Sequence, residues 1–212
     1  MGIESRYRIN EVEYKACKNL GRAIIKINHT YSGIHIEGET PRLRIQSYKP
    51  EDYSLCAPLY SDKALTRYFD HGQPRTKAEL ESYIEGRGRK YFNRGEPFGL
   101  FSVFLKSDSS FIGQVDMVPT ETPGVVEIGW ILQKSSHNQG FCTEAVKSFL
   151  LPLIKQICNE GRFVSKVIAT AHPDNIASNT VIRKLGMKLY DVKPRYGHPR
   201  LWYSMQVNRE HE

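Results

Sequence analysis

The residues best suited to chemistry lie in one short segment past the middle of the chain. A strand-like run, Val125 to Leu132, ends in a polar turn, and His137-Asn138-Gln139-Gly140-Phe141-Cys142 leads into a helix at Thr143. The start of a helix offers backbone N–H groups without intrahelical partners and the positive end of the helix dipole. Gly140 permits a positive φ or the close approach of a ligand. The segment therefore predicts a site for a phosphate or pyrophosphate.

Two further observations limit what this loop binds. Neither the G-x-G-x-x-G pattern nor the G-x-x-x-x-G-K-[ST] pattern occurs, so a dinucleotide or a nucleoside triphosphate is not favoured. The alternative interpretation is a capped helix start whose glycine serves only the turn. The loop by itself leaves both interpretations open.

The elements that must position the loop alternate along the rest of the chain. We predict strands at residues 43–46, 99–106, 111–118, 125–132, 166–170, 187–192 and 201–207, and helices from Pro50 and over residues 63–69, 77–91, 140–158 and 176–185. Pro152 should kink the long helix or end it early, because proline lacks an N–H and clashes with the preceding turn. The order of elements predicts a mixed α/β sheet with at least one parallel crossover.

The beginning of the chain has a different pattern. Residues 4–20 form a polar, weakly amphipathic stretch that favours a helix, and residues 22–27 and 33–36 read as two short strands. We therefore divide the chain into an N-terminal extension, residues 1–39, and a main domain, residues 40–212.

Composition and charge restrict the class of protein. The chain has 212 residues and a net charge of +7, which favours an anionic partner without choosing among nucleic acid, a membrane surface and a phosphorylated cofactor. No stretch approaches the roughly 18 apolar residues of a membrane helix, and no apolar signal core follows Met1. We expect a cytoplasmic protein whose cysteines are reduced thiols. The four cysteines are Cys17, Cys56, Cys142 and Cys158.

Several motifs together carry a resemblance to a known family. The strand, loop and helix around Gly140 resemble motif A of the GNAT acyltransferases, (Gln/Arg)-x-x-Gly-x-(Gly/Ala) before a helix. The run Asn175-Ile176-Ala177-Ser178, with a helix ending in Lys184-Leu185-Gly186-Met187, is similar to the family's second signature. Four other segments are similar to the RimJ/RimL-like branch: Thr40-Pro41-Arg42-Leu43-Arg44-Ile45, Pro50-Glu51-Asp52, Phe111-Ile112-Gly113 and Glu127-Ile128-Gly129-Trp130.

The resemblance spans residues 40 to about 207. It implies an α/β (α+β) fold, with a GNAT-like, mixed, mostly antiparallel twisted sheet flanked by helices. It also implies acetyl-coenzyme A as co-substrate, an amine as acceptor and no metal.

The family resemblance implies a set of residues that bind coenzyme A. In GNAT proteins the loop amides hold the pyrophosphate, and the preceding strand splays from its parallel neighbour to pair with the pantetheine arm. The implied contacts are Ile131, Leu132, Gln133, His137, Asn138, Gln139, Gly140, Phe141, Cys142, Thr143, Asn175 and Ser178. The chain departs from the pattern at His137, which replaces Gln or Arg, and at Cys142, which replaces Gly or Ala.

Acetyl transfer to an amine needs a base, a polarised carbonyl and a proton for the leaving thiolate. The resemblance implies Glu127 as the general base, often acting through water, with Asp116 on the neighbouring strand as the alternative. A surface carboxylate is the plain interpretation of Glu127. The family's frequent tyrosine acid falls at Ile182 and is absent, so Ser178 is the expected proton donor, unless it only caps its helix beside Asn175.

The remaining reactive side chains receive lesser roles. A thiol at a helix start is open to activation, so a covalent acetyl-cysteine at Cys142 is conceivable, although the family works by direct transfer. His71, His172 and His198 show no metal-ligand spacing, and we expect solvated or structural roles for them.

The acceptor is only broadly restricted. In GNAT folds the cleft is lined by the early helices, here residues 60–91, and by the loop between the last strands, here residues 193–199. The run of residues 193–200 is basic and aromatic, which disfavours a strongly cationic acceptor unless its arginines face solvent or the adenosine 3′-phosphate. A protein N-terminal α-amine or a small-molecule amine is the favoured acceptor.

A non-catalytic GNAT-fold module that binds RNA or a protein partner is the alternative function. The loop glycine and the Asn-x-x-Ser helix start occur together, which favours the enzyme, and neither a nucleic acid nor a membrane is a favoured partner. A homodimer is possible, and the sequence does not decide it.

Overall fold

The computed structural model describes residues 24–31 and 33–207. Their backbone builds one nine-stranded sheet with the strand order β1-β2-β3-β4-β5-β6-β7-β9-β8. The strands are β1 Ile24–Thr30, β2 Gly33–Glu39, β3 Leu43–Ser47, β4 Gly99–Leu105, β5 Phe111–Pro119, β6 Val125–Leu132, β7 Lys166–Ala171, β8 Lys188–Arg195 and β9 His198–Gln206. All neighbouring strands pair antiparallel except β6 and β7, which are parallel. The predicted mixed, mostly antiparallel sheet is confirmed.

Helices flank this sheet. They are α1 Tyr53–Ser61, α2 Lys63–Thr66, α3 Lys77–Tyr83, α4 Phe141–Ala145, α5 Leu151–Asn159 and α6 Ile176–Lys184. Short 3₁₀ turns cover Pro50–Asp52, Phe92–Arg94 and Lys134–Ser136, and π turns cover Ile84–Arg89 and Val146–Leu150.

Two apolar clusters hold the helices against the sheet. The larger one packs α4 and α5 against most of the strands and includes Phe101, Phe149 and Leu153. The smaller one packs α1 and α3 against the other face and includes Leu59 and Leu80. Because both faces are covered, the residues of β4 and β5 are buried almost throughout rather than at alternate positions.

The long helix does not end early at Pro152. It runs from Phe141 to Asn159, and the π turn Val146–Leu150 lies directly before α5. Proline cannot donate to the helical ladder, and a wider turn accommodates that interruption. The prediction of early termination is therefore wrong.

The tip of the last hairpin also differs from the prediction. Residues 193–200 are not an open loop, because β8 continues to Arg195 and β9 begins at His198. Tyr196 and Gly197 both have positive φ, 56° and 77°. Such a two-residue turn matches the twist of the flanking strands, so the hairpin pairs up to its tip.

The two N-terminal strands belong to the same sheet as the rest. β1 pairs with β2 over its whole length, and Glu37–Glu39 of β2 pair with β3. Ile34 and Ile36 are buried in the larger cluster. The polar stretch at residues 4–20, including Cys17, lies outside the described residues.

Candidate active site

The sheet opens immediately beyond Glu127. β6 and β7 pair only from Val125 to Glu127, although β6 continues to Leu132 and β7 to Ala171. The separation thus begins nearer the start of β6 than the predicted residues 131–133. The backbone of β6 that faces the gap is available to an extended ligand, as a sheet edge is to an added strand.

The loop after β6 has the backbone geometry of an anion site. Asn138 and Gly140 adopt left-handed conformations, with φ of 59° and 79°. In the described part of the chain, the amides of residues 138–143 donate to no acceptor. These amides lie at the start of the continuous helix from Phe141 to Asn159, so they fit a phosphate.

The side chains of the loop are used to hold it together. His137 Nε2 lies 3.0 Å from the Leu132 carbonyl oxygen, and Gln139 Nε2 donates to the Ser135 carbonyl at 2.7 Å. Burial raises the pKa of the Cys142 thiol far above its usual value, which keeps it protonated and disfavours a covalent acetyl-cysteine. The groups of this loop that remain free to bind a ligand are therefore its backbone amides.

An anchor that the sequence did not reveal fixes the loop to the start of β3. The Glu144 carboxylate, 1% exposed, accepts from Thr40 Oγ1 at 2.6 Å, from the Arg42 amide at 3.0 Å and from Arg42 Nε at 2.6 Å. Arg42 Nη1 also donates to the Gln139 carbonyl at 3.0 Å, and its guanidinium lies 4.4 Å from the centre of the Phe141 ring. The loop is thus preorganised by residues about 100 positions earlier.

A polar cavity of about 120 Å³ adjoins the gap between β6 and β7. Among the described residues, six buried side-chain polar atoms have no hydrogen-bond partner, and four of them belong to residues that line this cavity: Arg87 Nε, Gln114 Nε2, Asp116 Oδ2 and Arg200 Nε. Two of these four atoms, Arg87 Nε and Asp116 Oδ2, lie 3.0 Å apart as an ion pair. Gln114 Nε2 and Arg200 Nε are therefore the buried polar atoms of the cavity that are left for a polar ligand.

The two predicted carboxylates lie together at this cavity. Asp116 is opposite Gly129 in the β5–β6 register and Glu127 is opposite Val118, so both side chains project from the same face of the sheet. A Cβ at Gly129 would lie 2.3 Å from Asp116 Oδ1, so only glycine leaves room for this carboxylate. Burial, the dominant cause, raises the pKa of Asp116 against the opposing effect of Arg87.

Two arginines bracket Glu127. Arg195 of β8 binds it with both terminal nitrogens, at 2.5 Å and 3.1 Å. Arg87 Nη2 lies 3.6 Å from Glu127 Oε2, and Arg87 Nε lies 3.0 Å from Asp116 Oδ2 without the alignment of a hydrogen bond. Glu127 is therefore a largely buried member of a charge network, and the interpretation as a plain surface carboxylate is wrong.

Arg87 was not identified from the sequence. It lies in the π turn after α3, where buried Gly88 brings the backbone against Leu100 of β4. Gly86-Arg87-Gly88 is the only trace of this arrangement in the sequence, and it matches no motif.

The apolar floor of the cavity is aromatic. Tyr60 donates to Gln114 Oε1 at 3.0 Å, and its ring lies 5.4 Å from that of Tyr83. Burial raises the pKa of both tyrosines well above the usual value, so both remain neutral hydrogen-bonding groups.

The second signature lies on the other side of the cavity. Asn175 caps α6, since its Oδ1 accepts from the Ser178 amide at 3.1 Å. Ser178 is thus the capped residue, and both side chains line the cavity. Asn179 braces the turn by donating to three backbone carbonyls, while Ile182 is fully buried in the core.

The histidines form part of an aromatic rim. His172 stacks on Tyr68 at 5.2 Å and lies 6.3 Å from His198, while His71 lies 6.2 Å from Tyr196. The described residues include no group of three or more His, Cys, Asp or Glu side chains that could hold a metal.

Comparisons with known proteins place this architecture in a family. The sequence profile of the acetyltransferase (GNAT) domain matches residues 42–188. YnaD of Bacillus subtilis, described as an uncharacterized N-acetyltransferase, is 26% identical over 149 residues, which cover 70% of this chain and 81% of that protein.

Solved structures share the fold at low identity. RimL, a ribosomal L7/L12 alpha-N-protein acetyltransferase in complex with coenzyme A, has a TM-score of 0.64 at 19% identity, covering 80% of this chain and 97% of that one. Spermidine N-acetyltransferase of Vibrio cholerae, in complex with coenzyme A and spermine, has a TM-score of 0.62 at 15% identity, covering 77% and 95%.

The mostly antiparallel nine-stranded sheet, with its one splayed parallel pair, agrees with the fold of this acetyltransferase family. The chain belongs to the GNAT acetyltransferase family and is an acetyl-coenzyme A-dependent N-acetyltransferase. The likeness to RimL, at 19% identity, is a likeness of fold. No helix in residues 24–31 and 33–207 is long and apolar enough to cross a membrane.

Proposed function

We propose that the protein transfers the acetyl group of acetyl-coenzyme A directly to a primary amine, either a protein N-terminal α-amine or a small-molecule amine. The observation that carries the proposal is the cavity at the point where β6 and β7 separate. It joins a strand edge suited to the pantetheine arm with the carboxylates of Glu127 and Asp116 and with the hydroxyl of Ser178.

The chemistry of the proposed reaction is a single displacement. The amine nitrogen attacks the thioester carbonyl carbon, the new C–N bond forms, and the C–S bond breaks. The amine gives up a proton to Glu127, directly or through water, and the departing sulfur receives one from Ser178. Each Glu127 oxygen retains a lone pair beside its bond to Arg195, so it can still accept a proton.

Asp116 is the alternative base. It is more deeply buried than Glu127, and burial raises its pKa. Glu127 is favoured because it lies on β6, the strand that borders the gap, whereas Asp116 lies on β5.

The set of coenzyme A contacts is also part of the proposal. The amides of residues 138–143 would hold the pyrophosphate, and residues 131–133 would pair with the pantetheine arm. Asn175 and Ser178 would lie beside the thioester, while His137, Gln139 and Cys142 would serve the shape of the loop. The free thiols of Cys56, Cys142 and Cys158 support a cytoplasmic enzyme.

The alternative of a module that only binds RNA or a protein finds no specific support. A binding module does not require two carboxylates and a serine hydroxyl to line one cavity at the strand gap. We propose likewise that residues 1–39 are an extension of the enzyme, and the dimer stays a prediction.

The test is calorimetric titration of acetyl-coenzyme A into the wild-type protein and the Gly140→Glu variant. Glutamate at this loop places a negative charge beside the pyrophosphate and strains a left-handed backbone, so we expect binding to be lost. Gly161→Glu is the matched control, because Gly161 is also left-handed and exposed. A Cβ at Gly161 would have no neighbour within 4 Å, and one at Gly140 would meet only Arg42 Nη2, at 3.5 Å.

Two outcomes would contradict the proposal. They are the absence of binding to the wild-type protein, and equal binding to both glutamate variants. An amine-acceptor screen with radiolabelled acetyl-coenzyme A then tests transfer itself.

A further inference from the structure

One arginine of the active-site cavity has no counterion. Arg87 and Arg195 both contact carboxylates of the site. Arg200 of β9 is 6% exposed, its Nε has no hydrogen-bond partner, and it takes part in no ion pair among the described residues. Burying an unpaired guanidinium is costly, so a binding role is the more economical explanation.

The carboxylates near Arg200 are already engaged. Asp70 is the side chain whose negative charge acts most strongly on Arg200, but it forms an ion pair with Arg75. Glu127 is bound by Arg195 and approached by Arg87. Arg200 therefore leaves an uncompensated positive charge at the wall of the cavity.

Arg200 lies on the hairpin that holds Glu127, and apart from the loop at residues 138–143. Arg200 lies opposite Lys193 in the backbone register of the β8–β9 hairpin. Its guanidinium lies 5.9 Å from the ring centre of Tyr196 at the hairpin tip. The same hairpin contributes Arg195, which contacts Glu127. The anion-binding loop at residues 138–143 is not part of the cavity lining, whereas Arg200 is.

We propose that Arg200 binds a carboxylate of the acceptor, so that the preferred substrates are amines that also carry a carboxylate. This inference rests on the proposed acetyl transfer to amines. The carboxylate belongs either to a small amino acid or to an acidic side chain beside a protein N-terminus. A guanidinium binds either one through charge-assisted hydrogen bonds.

The experiment compares acceptors that differ only in this charge. One pair is the amidated peptides Ser-Asp-Ala-Ala and Ser-Asn-Ala-Ala, and the other is δ-aminovalerate and δ-aminovaleramide. We expect the carboxylate member of at least one pair to have about tenfold higher kcat/KM, the size of one charge-assisted hydrogen bond. A preference in the peptide pair assigns a protein N-terminus, and one in the other pair assigns a small amino acid.

Variants then assign the preference to Arg200. Arg200→Gln should raise the KM for the carboxylate acceptor until the preference disappears, while the Kd for acetyl-coenzyme A stays unchanged. Arg200→Lys should keep part of the preference, because it keeps the charge. Arg183→Gln is the matched control, since Arg183 also has an unpartnered Nε but does not line the cavity.

Three results would overturn the proposal: no preference in either pair, a preference that survives in folded Arg200→Gln, and an Arg200→Gln effect on acetyl-coenzyme A binding alone. The wild-type comparison stands even if Arg200→Gln fails to fold. Binding without turnover is measured by titrating both peptides and both small amines into the protein saturated with coenzyme A. Equal affinity within both pairs would also contradict the proposed role of Arg200. Failure of the proposed acetyl transfer gives a different result from failure of this inference, because in that case neither the carboxylate acceptors nor the neutral acceptors are acetylated.

Discussion

The proposed role of Glu127 as general base depends on the two arginines beside its carboxylate, Arg87 and Arg195. Glu127 is the last residue at which β6 pairs with β7, and its carboxylate faces the cavity between two arginines. Arg195 holds both oxygens and so fixes the orientation of the carboxylate relative to an acceptor amine. Fixed orientation is a main source of the efficiency of a general base.

Glu127→Gln is expected to lower kcat by about 10²-fold or more, because the amide cannot accept the amine proton. Steady-state kinetics with saturating acetyl-coenzyme A measures this loss. The Kd for acetyl-coenzyme A should stay within about twofold, since the loop is untouched. Glu121→Gln, a change at an exposed turn, is the control for substitution itself. A larger loss in Asp116→Asn than in Glu127→Gln would transfer the role of base to Asp116.

At the scale of elements, the joint between the start of β3 and the long helix decides the shape of the anion-binding loop. Three hydrogen bonds converge on the buried Glu144 carboxylate, and Arg42 links it to the Gln139 carbonyl. A helix and a strand that are far apart in sequence are thereby locked together beside the loop.

Glu144→Gln is expected to lower the free energy of unfolding by about 2 kcal/mol, because charge-assisted hydrogen bonds from Thr40 and Arg42 are lost, while the half-exposed Arg42 can be solvated by water. Urea denaturation measures the change. The Kd for acetyl-coenzyme A should rise as well, since the loop loses its support. The exposed Glu121→Gln variant should stay within about 0.5 kcal/mol of the wild type. An unchanged unfolding midpoint in Glu144→Gln would show that the joint adds nothing to stability.

At the scale of the whole molecule, the first two described strands extend the sheet of the enzyme. β2 contributes Ile36, which is 0% exposed, while β1 presents Ile24, which is 71% exposed. Gly38 of β2 also lies against the Phe149 ring, where a Cβ would be 2.7 Å from a ring carbon. The hairpin is therefore packed against the long helix.

Ile36→Ala is expected to cost about 2–5 kcal/mol of unfolding free energy, the usual range for emptying a buried isoleucine site. The matched Ile24→Ala on the neighbouring strand should change stability by less than about 0.5 kcal/mol. Both are measured by denaturation followed through tryptophan fluorescence and circular dichroism. A separate early transition in Ile36→Ala, with the remaining sheet intact, would contradict the integration of the hairpin.

Local sequence patterns are enough to locate most of the elements and to indicate the family. Hydrophobic periodicity locates the strands from β3 to β7, because one or both faces of each strand must be apolar. The motifs around Gly140 and Asn175 are readable in the sequence because they depend on short-range geometry. Turn chemistry was less readable at Tyr196-Gly197, since a tyrosine with positive φ is uncommon. The π turn before Pro152 was also hidden, because it resembles an α-helix in sequence.

Only the tertiary structure decided which charges meet. Arg87, Arg195 and Arg200 lie far from Glu127 and Asp116 in sequence, and nothing local to them specifies a partner. The register of β5 and β6 places Asp116 beside Gly129, and the π turn places Arg87 near both carboxylates. The β8–β9 hairpin brings Arg195 to Glu127 but gives Arg200 no counterion. Electrostatic partners are chosen by distance in space, and that distance exists only once the chain has folded.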